Sequence, residues 1–237
     1  MSPLTVSHIK EVFSLRCRQL CVIIRTSVRL GKGRPVESSH KGIYERLAVG
    51  RTARFDAKLV HLLGCAAQAF AENGYEKTSI RQVAKRAGFS LSNIYYYVSS
   101  KEELLFLIQY HTFGRLIEGL EAILERDASP QQHLKQMVHM HVGYLVEHLP
   151  ELRVCVKELH SLSGEYYQKV LKRRQRYFDL TRGIVKRIDG TVEPNLATLF
   201  LFGMLNWIVM WFDADKNEPR QLADSLYLLF IRGYKGG

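Results

Sequence analysis

The sequence predicts an all-α protein that combines a small N-terminal domain of three helices with a larger C-terminal helical domain. After about residue 55, apolar residues return at the spacing of an α-helix in every segment, and no alternating run of strand length occurs. Proline and glycine fall between these segments, where they begin and end helices. A content of 46% hydrophobic and 24% charged residues is typical of a globular protein.

The first fifty residues form a basic extension in front of the predicted helices. Residues 1–54 contain 11 Lys and Arg against 3 Asp and Glu, a net charge of +8, whereas residues 55–237 carry only +3. The glycine, proline and serine between Gly31 and Gly42 are typical of a flexible linker. The apolar run from Leu20 to Ile24 is too short for a signal peptide. We therefore predict a flexible extension over residues 1–50, and we expect deletion of residues 1–45 to leave the fold intact.

An amphipathic helix and a short capped helix follow the extension. Ser79 precedes Gln82 by three residues, which is the arrangement of a capping box at a helix start. Gly88 follows at the place where a helix ends in a left-handed residue. The apolar stripes of the two helices are Leu59, Leu63, Ala66, Ala67 and Phe70 in the first, and Ile80, Val83, Ala84 and Ala87 in the second.

A second short helix begins after Ser90, which can cap it, and directs Ile94 and Val98 inward. Ala84, Gly88 and Ile94 have the spacing of a helix-turn-helix over about residues 80–99. The outer face of the second helix is polar and aromatic and almost free of charge: it consists of Ser92, Asn93, Tyr95, Tyr96 and Tyr97. Such a face suits the major groove of DNA.

Together, these residues resemble the DNA-binding domain of the TetR family of bacterial transcriptional regulators. The family pattern also includes the Gly74-Tyr75 pair before the motif and the Lys-Glu-x-Leu sequence at residues 101–104. Only Val98 departs from it, because the family usually has Phe there. The resemblance covers about residues 55–110. It implies a DNA-binding domain over residues 51–101 and a cytoplasmic repressor that binds a palindromic operator as a homodimer.

The resemblance also implies which residues touch DNA. The family's phosphate contacts fall on Ser79, Arg81, Tyr95, Tyr97 and Lys101, and its base-facing positions fall on Leu91, Ser92, Asn93 and Tyr96, next to the cap Ser90. An arm that carries Arg46, Arg51 and Arg54 could follow the DNA backbone or enter the minor groove.

Residues 102–237 are predicted to form the effector-binding and dimerisation domain. The expected helices cover Glu102–Arg126, Pro130 to about His148, Pro150 to about Leu162, Gly164–Ile188, Pro194–Phe212 and Pro219–Tyr234. The helix that contains Leu196–Phe212 is apolar around most of its circumference, so it must be covered on all sides. In the resemblance, the last two helices pack against their copies in a second subunit. The same window is at the lower edge of the length for a membrane span, and its polar residues favour a buried or interface helix instead.

The small molecule that the protein senses is predicted by a second resemblance. Gly203–Asp215 and the segment from Lys157 to Phe178 resemble the ligand domains of TetR-type repressors of fatty-acid and sterol-side-chain degradation, which acyl-CoA thioesters release from DNA. A run of cations at residues 172–176 lies beside an apolar stripe, and an acyl-CoA requires both. The candidate ligand contacts are Phe113, Tyr144, Tyr166, Arg173, Arg176, Tyr177, Trp207 and Trp211.

Two other functions stay open at this stage. A regulator that senses lipophilic cations would use buried carboxylates, for which Glu158 and Glu165 are the candidates. An architectural DNA-binding protein without a ligand would depend mainly on the basic extension. We expect no enzyme activity, cofactor or metal site, because the sequence has no catalytic motif or phosphate-binding glycine loop, its four cysteines form no repeated pairs, and His139 and His141 point to different faces of a helix.

Overall fold

Three helices at the N-terminal end of the structure correspond to the predicted motif. The computed structural model describes residues 53–236, so the predicted extension over residues 1–50, which contains Arg46, lies outside the described residues, as does Arg51. Helix α1 covers Ala53–Asn73, α2 covers Ile80–Ala87 and α3 covers Leu91–Tyr97.

The local signals at these helix ends act as the sequence predicts. Ser79 and Gln82 form a reciprocal capping box at the start of α2. Gly88 ends α2 with a φ of 68°, a left-handed conformation that favours glycine. Phe89 N–H then donates to the carbonyl of Ala84 at 2.9 Å, which closes the turn. Ser90 caps α3, because its hydroxyl accepts the N–H of Asn93 at 3.1 Å.

Six further α-helices complete the described part of the chain. They are α4 (Lys101–Leu124), α5 (Pro130–Glu147), α6 (Leu149–Lys157), α7 (Gly164–Lys186), α8 (Pro194–Trp211) and α9 (Pro219–Lys235), with a 3-10 turn at Leu159–Ser161. Proline occupies the first turn of α5, α8 and α9, where a backbone N–H would have no acceptor within the helix, so its absence costs no hydrogen bond. Every regular element between residues 53 and 236 is helical, which confirms the all-α prediction.

One predicted helix is divided in the structure. The sequence predicts a helix from Pro150 to about Leu162, but α6 ends at Lys157 and a separate 3-10 turn follows. Glu158 lies at the break with φ −114° and ψ 19°, outside the helical region. No glycine or proline marks this position, so the break depends on tertiary contacts of Glu158.

Helix α4 connects the two parts of the fold. It packs against α1 on the side of the DNA-binding motif and against α5, α6 and α7 on the other side. Its buried side chains include Leu104, Leu105, Leu116 and Leu120, all of which are inaccessible to solvent. A displacement of α4 therefore affects both ends of the molecule.

Helices α8 and α9 leave an apolar face uncovered. We call it the outer apolar face, and it consists of Leu196, Phe200, Trp207 and Trp211 from α8 and Leu228 and Leu229 from α9. Phe200 is 58% exposed and Leu229 is 71% exposed, although the opposite side of each helix is buried in the core. By length and hydropathy, α8 is the one helix of the described residues that could cross a membrane, and core helices of soluble proteins pass the same test.

Candidate nucleic-acid interface and effector groove

The outer face of α3 is exposed to solvent, and the buried side chain of Ile94 anchors the opposite side of the helix. Ile94 is completely buried, whereas Ser92, Asn93 and Tyr95 are exposed and Tyr96 is 71% exposed. Leu91 is also exposed at the start of the helix. A short helix with a buried anchor and a polar aromatic surface can enter a groove of DNA without rearranging its own packing.

Tyr97 differs from the other tyrosines of α3 because it is partly buried. Its ring lies 5.8 Å from that of Phe89, in the turn before the helix, and 5.2 Å from that of Tyr96. Phe89 in turn lies 6.1 Å from the ring of His61 on α1. This aromatic series fixes the C-terminal end of α3 against the rest of the motif.

The cations around α2 divide into two groups. Arg81 and Lys85 are exposed, so they can reach phosphates. Arg86 instead forms an ion pair of 2.5 Å with Glu72 on α1, and this pair lowers the pKa of the Glu72 carboxyl. The hydroxyl of Ser79 already takes part in the capping box, where it donates to Gln82 Oε1 at 2.9 Å.

Lys101 has a structural role in addition to its predicted contact with phosphate. Its ammonium donates to the carbonyls of Tyr75 at 3.1 Å and Glu76 at 3.4 Å, and it lies 4.2 Å from the centre of the Tyr75 ring. An ammonium group has three N–H donors, so one remains for a phosphate oxygen. Lys101 therefore ties the start of α4 to the turn before the motif.

Two carboxylates join the motif to the C-terminal helices. Glu158 accepts the backbone N–H of Tyr75 at 3.4 Å with one oxygen and the hydroxyl of Ser161 at 3.0 Å with the other, and its carbonyl accepts Gln109 Nε2 at 3.3 Å. On the other side, Glu102 accepts the N–H and the hydroxyl of Ser163 at 2.7 and 2.8 Å. These contacts connect α4 and the turn before the motif to the segment between α6 and α7.

A cationic groove opens between α4 and α7. It has a volume of about 310 Å³ and is lined by Gly114, Ile117, Glu118, Lys172, Arg173 and Arg176. The guanidinium of Arg173 lies against Gly114, donates to the carbonyl of Tyr110 at 2.7 Å and stacks 3.3 Å from the centre of the Tyr110 ring. A side chain at position 114 would meet this guanidinium, so the present placement of Arg173 depends on the glycine there.

The other cations of the 172–176 run have different environments. Arg176 is exposed at the groove and forms an ion pair of 2.9 Å with Glu121. Arg174 turns inward, donates to the carbonyl of Cys155 at 3.0 Å and lies 5.0 Å from the centre of the Phe113 ring. Burial lowers the pKa of its guanidinium. Lys172, Arg173 and Arg176 therefore face the groove, and Arg174 belongs to the core.

The structure brings together some of the predicted ligand residues and separates others. The ring centres of Phe113 and Tyr177 lie 6.4 Å apart, and the two residues are next in the chain to the groove residues Gly114 and Arg176. Tyr144, half-buried on α5, lies against His148 at 4.3 Å. Tyr166 stacks on Phe106 at 4.5 Å, nearer to the motif, and burial raises its pKa to about 12.

Trp207 and Trp211, which the sequence analysis proposed as ligand contacts, do not line the groove between α4 and α7. Both lie on the outer apolar face and are 47% and 44% exposed. The periodicity of α8 could not identify the inner side, because the helix is apolar all round. Packing turns Leu201, Leu205 and Ile208 toward the core instead.

Three residues with a role in this region were not predicted from the sequence. Gly114 lies inside α4 with no local signal of a close approach, and Glu158 was considered only as a ligand for a cation. His141 is buried against Tyr177, with its Nδ1 atom 3.0 Å from the phenol oxygen. Within residues 53–236, no group of three or more His, Cys, Asp or Glu side chains could hold a metal ion.

Two protein families match this chain in a comparison with known proteins. The family described as "Bacterial regulatory proteins, tetR family" matches residues 62–108, and that described as "Tetracyclin repressor-like, C-terminal domain" matches residues 127–234. The HTH-type transcriptional regulator YfiR of Bacillus subtilis is 30% identical over 196 residues, which are 73% of this chain and 91% of that protein.

Two solved structures are similar along nearly their whole length. The TetR family regulator PfmR from Thermus thermophilus is 31% identical, with a TM-score of 0.68 over 73% of this chain and 97% of its own. The regulator FadR from Bacillus subtilis, solved in complex with stearoyl-CoA, is 25% identical, with a TM-score of 0.62 over 73% and 98%. The chain therefore belongs to the TetR family and is a DNA-binding transcriptional regulator.

Proposed function

We propose that this regulator is a repressor that binds a palindromic operator as a homodimer and leaves it when an acyl-CoA thioester binds. Residues 51–101 bind DNA, with α3 in the major groove, and residues 102–237 bind the effector and form the dimer. Two copies of α3 read two half-sites about one helical turn of DNA apart, near 34 Å. The outer apolar face of α8 and α9 forms the contact between the two copies.

The groove between α4 and α7 is the observation that supports an acyl-CoA. An acyl-CoA has phosphates at one end and an apolar chain at the other. Lys172, Arg173 and Arg176 line the groove, and Phe113 and Tyr177 are the chain neighbours of the lining residues Gly114 and Arg176. Guanidinium groups donate in pairs to phosphate oxygens, and buried aromatic rings favour an apolar chain. The stearoyl-CoA complex of the related FadR supports the same ligand class.

Helix α4 provides the connection between the groove and the motif. Tyr110 and Gly114 of α4 contact Arg173, and Lys101 at its other end contacts the turn before the motif. A ligand that separates α4 from α7 therefore tilts α3 and changes the distance between the two recognition helices. To release DNA, it must bind the tilted state more tightly, and a hundredfold preference corresponds to about 2.7 kcal/mol.

A sensor of lipophilic cations is less well supported, because both candidate carboxylates are engaged. Glu158 accepts hydrogen bonds from Tyr75 and Ser161. Glu165 forms an ion pair with Lys169 at the surface. Neither lies on the groove between α4 and α7.

The test measures effector binding and DNA release together. Calorimetry measures the binding of four compounds: a long-chain acyl-CoA, free CoA, the free fatty acid and a lipophilic cation. The same compounds are then added to the complex of the protein with an operator that it has selected from random DNA. We expect the acyl-CoA alone to bind at micromolar concentration and to dissociate the operator. Release by the cation, or a footprint on DNA without a palindrome, would contradict the proposal.

A matched pair of variants tests the groove itself. Lys172→Glu with Arg176→Glu reverses two cations of the groove, and Arg182→Glu with Lys186→Glu reverses two exposed cations of the same helix outside it. The first pair should weaken acyl-CoA at least tenfold, because each hydrogen bond to a charged group contributes about 1.5–3 kcal/mol. The second pair should leave acyl-CoA affinity unchanged, and neither should alter operator binding without ligand. Reversal at Arg173 should act in the same direction as the first pair.

A further inference from the structure

One guanidinium group joins the middle of α4 to α7. Arg173 of α7 donates from Nη1 to the backbone carbonyl of Tyr110 at 2.7 Å, and its Cζ atom lies 3.3 Å from the centre of the Tyr110 ring. The contact depends on Gly114, because a β-carbon at that position would overlap Nη1 of Arg173. Arg173 therefore holds α4 by its backbone, at a place where the helix has no side chain.

This contact differs in its chemistry from those at the two ends of α4. At one end, Glu102 accepts the N–H and the hydroxyl of Ser163. Near the other end, Glu121 forms an ion pair of 2.9 Å with Arg176. A carboxylate takes part in each of these contacts. Within residues 53–236, by contrast, no carboxylate lies within ion-pair distance of Arg173, which contacts a neutral carbonyl and an aromatic ring.

The Tyr110 carbonyl competes weakly for the guanidinium. It lies inside α4, where the regular helix pattern already supplies it with the N–H of Gly114. A hydrogen bond with an ionised acceptor is about twice as strong as one with a neutral acceptor, and a phosphate accepts from two N–H groups of a guanidinium at once. An anionic group in the groove therefore draws Arg173 away from α4, because it supplies the countercharge that α4 lacks at this place.

We propose that Arg173 is the positioning residue that holds α4 in the DNA-binding state, and that the anionic head group of the effector releases α4 by binding this guanidinium. The inference rests on the proposed function and adds to it the contact that the ligand breaks. Lys172 and Arg176 also line the groove, but neither forms a hydrogen bond with the backbone of α4 in the described part of the chain. These two cations attract the ligand, and Arg173 alone of the three also holds the helix.

The substitution Gly114→Ala removes the contact and keeps every cation of the groove. The new methyl group takes the place of Nη1, and the fold is retained because only the flexible end of Arg173 has to move. Operator affinity without ligand should fall about tenfold. Affinity for acyl-CoA should rise, because a protein shifted toward the released state binds the releasing ligand more tightly. A substitution that merely damaged the protein would lower both affinities.

Gly119→Ala is the matched control on the same helix. It brings the same gain in helix propensity as Gly114→Ala. Its β-carbon would meet the flexible thioether of Met140 on α5, with Sδ at 3.2 Å, and would leave Arg173 in place. This variant should bind both the operator and acyl-CoA as the wild type does.

A double-mutant cycle shows whether the effect of Gly114→Ala depends on Arg173. Arg173→Ala alone should also lower operator affinity without ligand about tenfold, because it removes the same contact. It should weaken acyl-CoA as well, since a cation of the groove is lost. Adding Gly114→Ala to Arg173→Ala should cause no further loss of operator affinity. Anisotropy titrations of the operator with the wild type, the two single variants and the double variant measure the cycle.

Operator affinities measured without effector decide whether Arg173 holds α4. Equal operator affinity of Gly114→Ala and Gly119→Ala would overturn the inference, and so would losses that add in the double variant. Weaker binding of acyl-CoA by Gly114→Ala than by the wild type would show that the head group does not compete with α4 for Arg173. If the wild type binds no acyl-CoA, the proposed effector class is wrong, and the operator titrations still decide whether Arg173 holds the helix.

Discussion

Asn93 is the residue of α3 whose chemistry is best suited to reading a base. It is exposed on the outer face, and its backbone N–H is fixed by Ser90 at 3.1 Å, so its position is set before DNA binds. An amide side chain can donate to and accept from the edge of adenine in the major groove. Arg81 is also exposed, but it lies on α2, where contact with phosphate is expected.

Substitution of these two residues should separate base reading from phosphate binding. Asn93→Ala should reduce discrimination at one base pair by about 1–3 kcal/mol and leave non-specific affinity intact. Arg81→Ala should weaken all sequences alike and reduce the slope of log K against log salt by about 1. Anisotropy titrations against the operator and single-base variants at several salt concentrations measure both effects. An equal loss of specificity in both variants would show that the roles are assigned wrongly.

The buried His141 should make stability depend on pH in a defined direction. Its pKa is lowered by burial from 6.5 to about 4 in the folded protein, so between these values the unfolded chain binds a proton that the folded chain does not. The free energy of unfolding should therefore fall as pH decreases from 6.5 toward 4. The full contribution is about 3 kcal/mol.

Denaturant unfolding is measured at a series of pH values for the wild type and for the double variant His141→Phe with Tyr177→Phe. The comparison separates the contribution of His141 to the unfolding free energy from that of the other histidines. The difference in unfolding free energy between the two proteins should be constant above pH 7. Below pH 6.5 it should shift in favour of the variant. A difference that stays constant down to pH 4 would mean that His141 is not buried in solution.

The residues predicted correctly from sequence have roles that depend on near neighbours. The capping box of Ser79 and Gln82 and the left-handed Gly88 involve positions within a few residues, so spacing alone identifies them. The roles of Glu158 and His141 depend on Tyr75 and Tyr177, 83 and 36 residues away in the chain. The position of Trp207 and Trp211 on the outer apolar face could not be predicted for the same reason, since only packing decides which side of α8 is buried.

At the scale of elements, the segment between α6 and α7 is hydrogen-bonded both to the turn before the motif and to α4. The side chain of Glu158 contacts the turn before the motif, and its backbone carbonyl accepts a hydrogen bond from Gln109 of α4. Glu102 at the start of α4 binds Ser163 at the start of α7. The sequence predicted a continuous helix from Pro150 to about Leu162, because no glycine or proline marks the break at Glu158.

Removal of the Glu158 carboxylate should reduce the coupling between effector binding and operator binding more than it reduces the affinity for either ligand. Glu158→Ala removes the hydrogen bonds to Tyr75 and Ser161 but touches neither the groove nor α3. We expect acyl-CoA and operator to bind separately with near wild-type affinity, and the ligand-induced loss of operator affinity to decrease about tenfold, or about 1.4 kcal/mol of coupling. Glu165→Ala, which removes a surface ion pair, is the control and should leave the coupling unchanged. If Glu158→Ala kept the full ligand-induced loss of operator affinity, the hydrogen bonds of the Glu158 carboxylate would not contribute to the coupling, which would then depend on α4.

At the scale of the whole molecule, the outer apolar face is the surface through which we propose that two copies of the chain meet. Six large apolar side chains on α8 and α9 are between 44% and 71% exposed in one copy. Contiguous apolar surface of this kind marks a protein interaction site in a soluble protein. The two helices also present it side by side, so a second copy related by a two-fold axis can complete a four-helix bundle.

Charges placed on this face should therefore separate the two copies and abolish tight operator binding. Phe200→Asp with Leu229→Asp would place two carboxylates from each copy in the interface, where they have no partners and lose hydration. We expect a folded monomer by light scattering, with the helix content of wild type. Because a monomer engages one half-site at a time, its affinity for the full operator should fall by a factor of about 10² or more. Val60→Asp changes a residue of α1 that is 68% exposed and lies away from this face, so that variant should remain dimeric and bind normally. If the double variant stayed dimeric, the two copies would meet through another surface. That contact, and not the outer apolar face, would then set the spacing of the recognition helices.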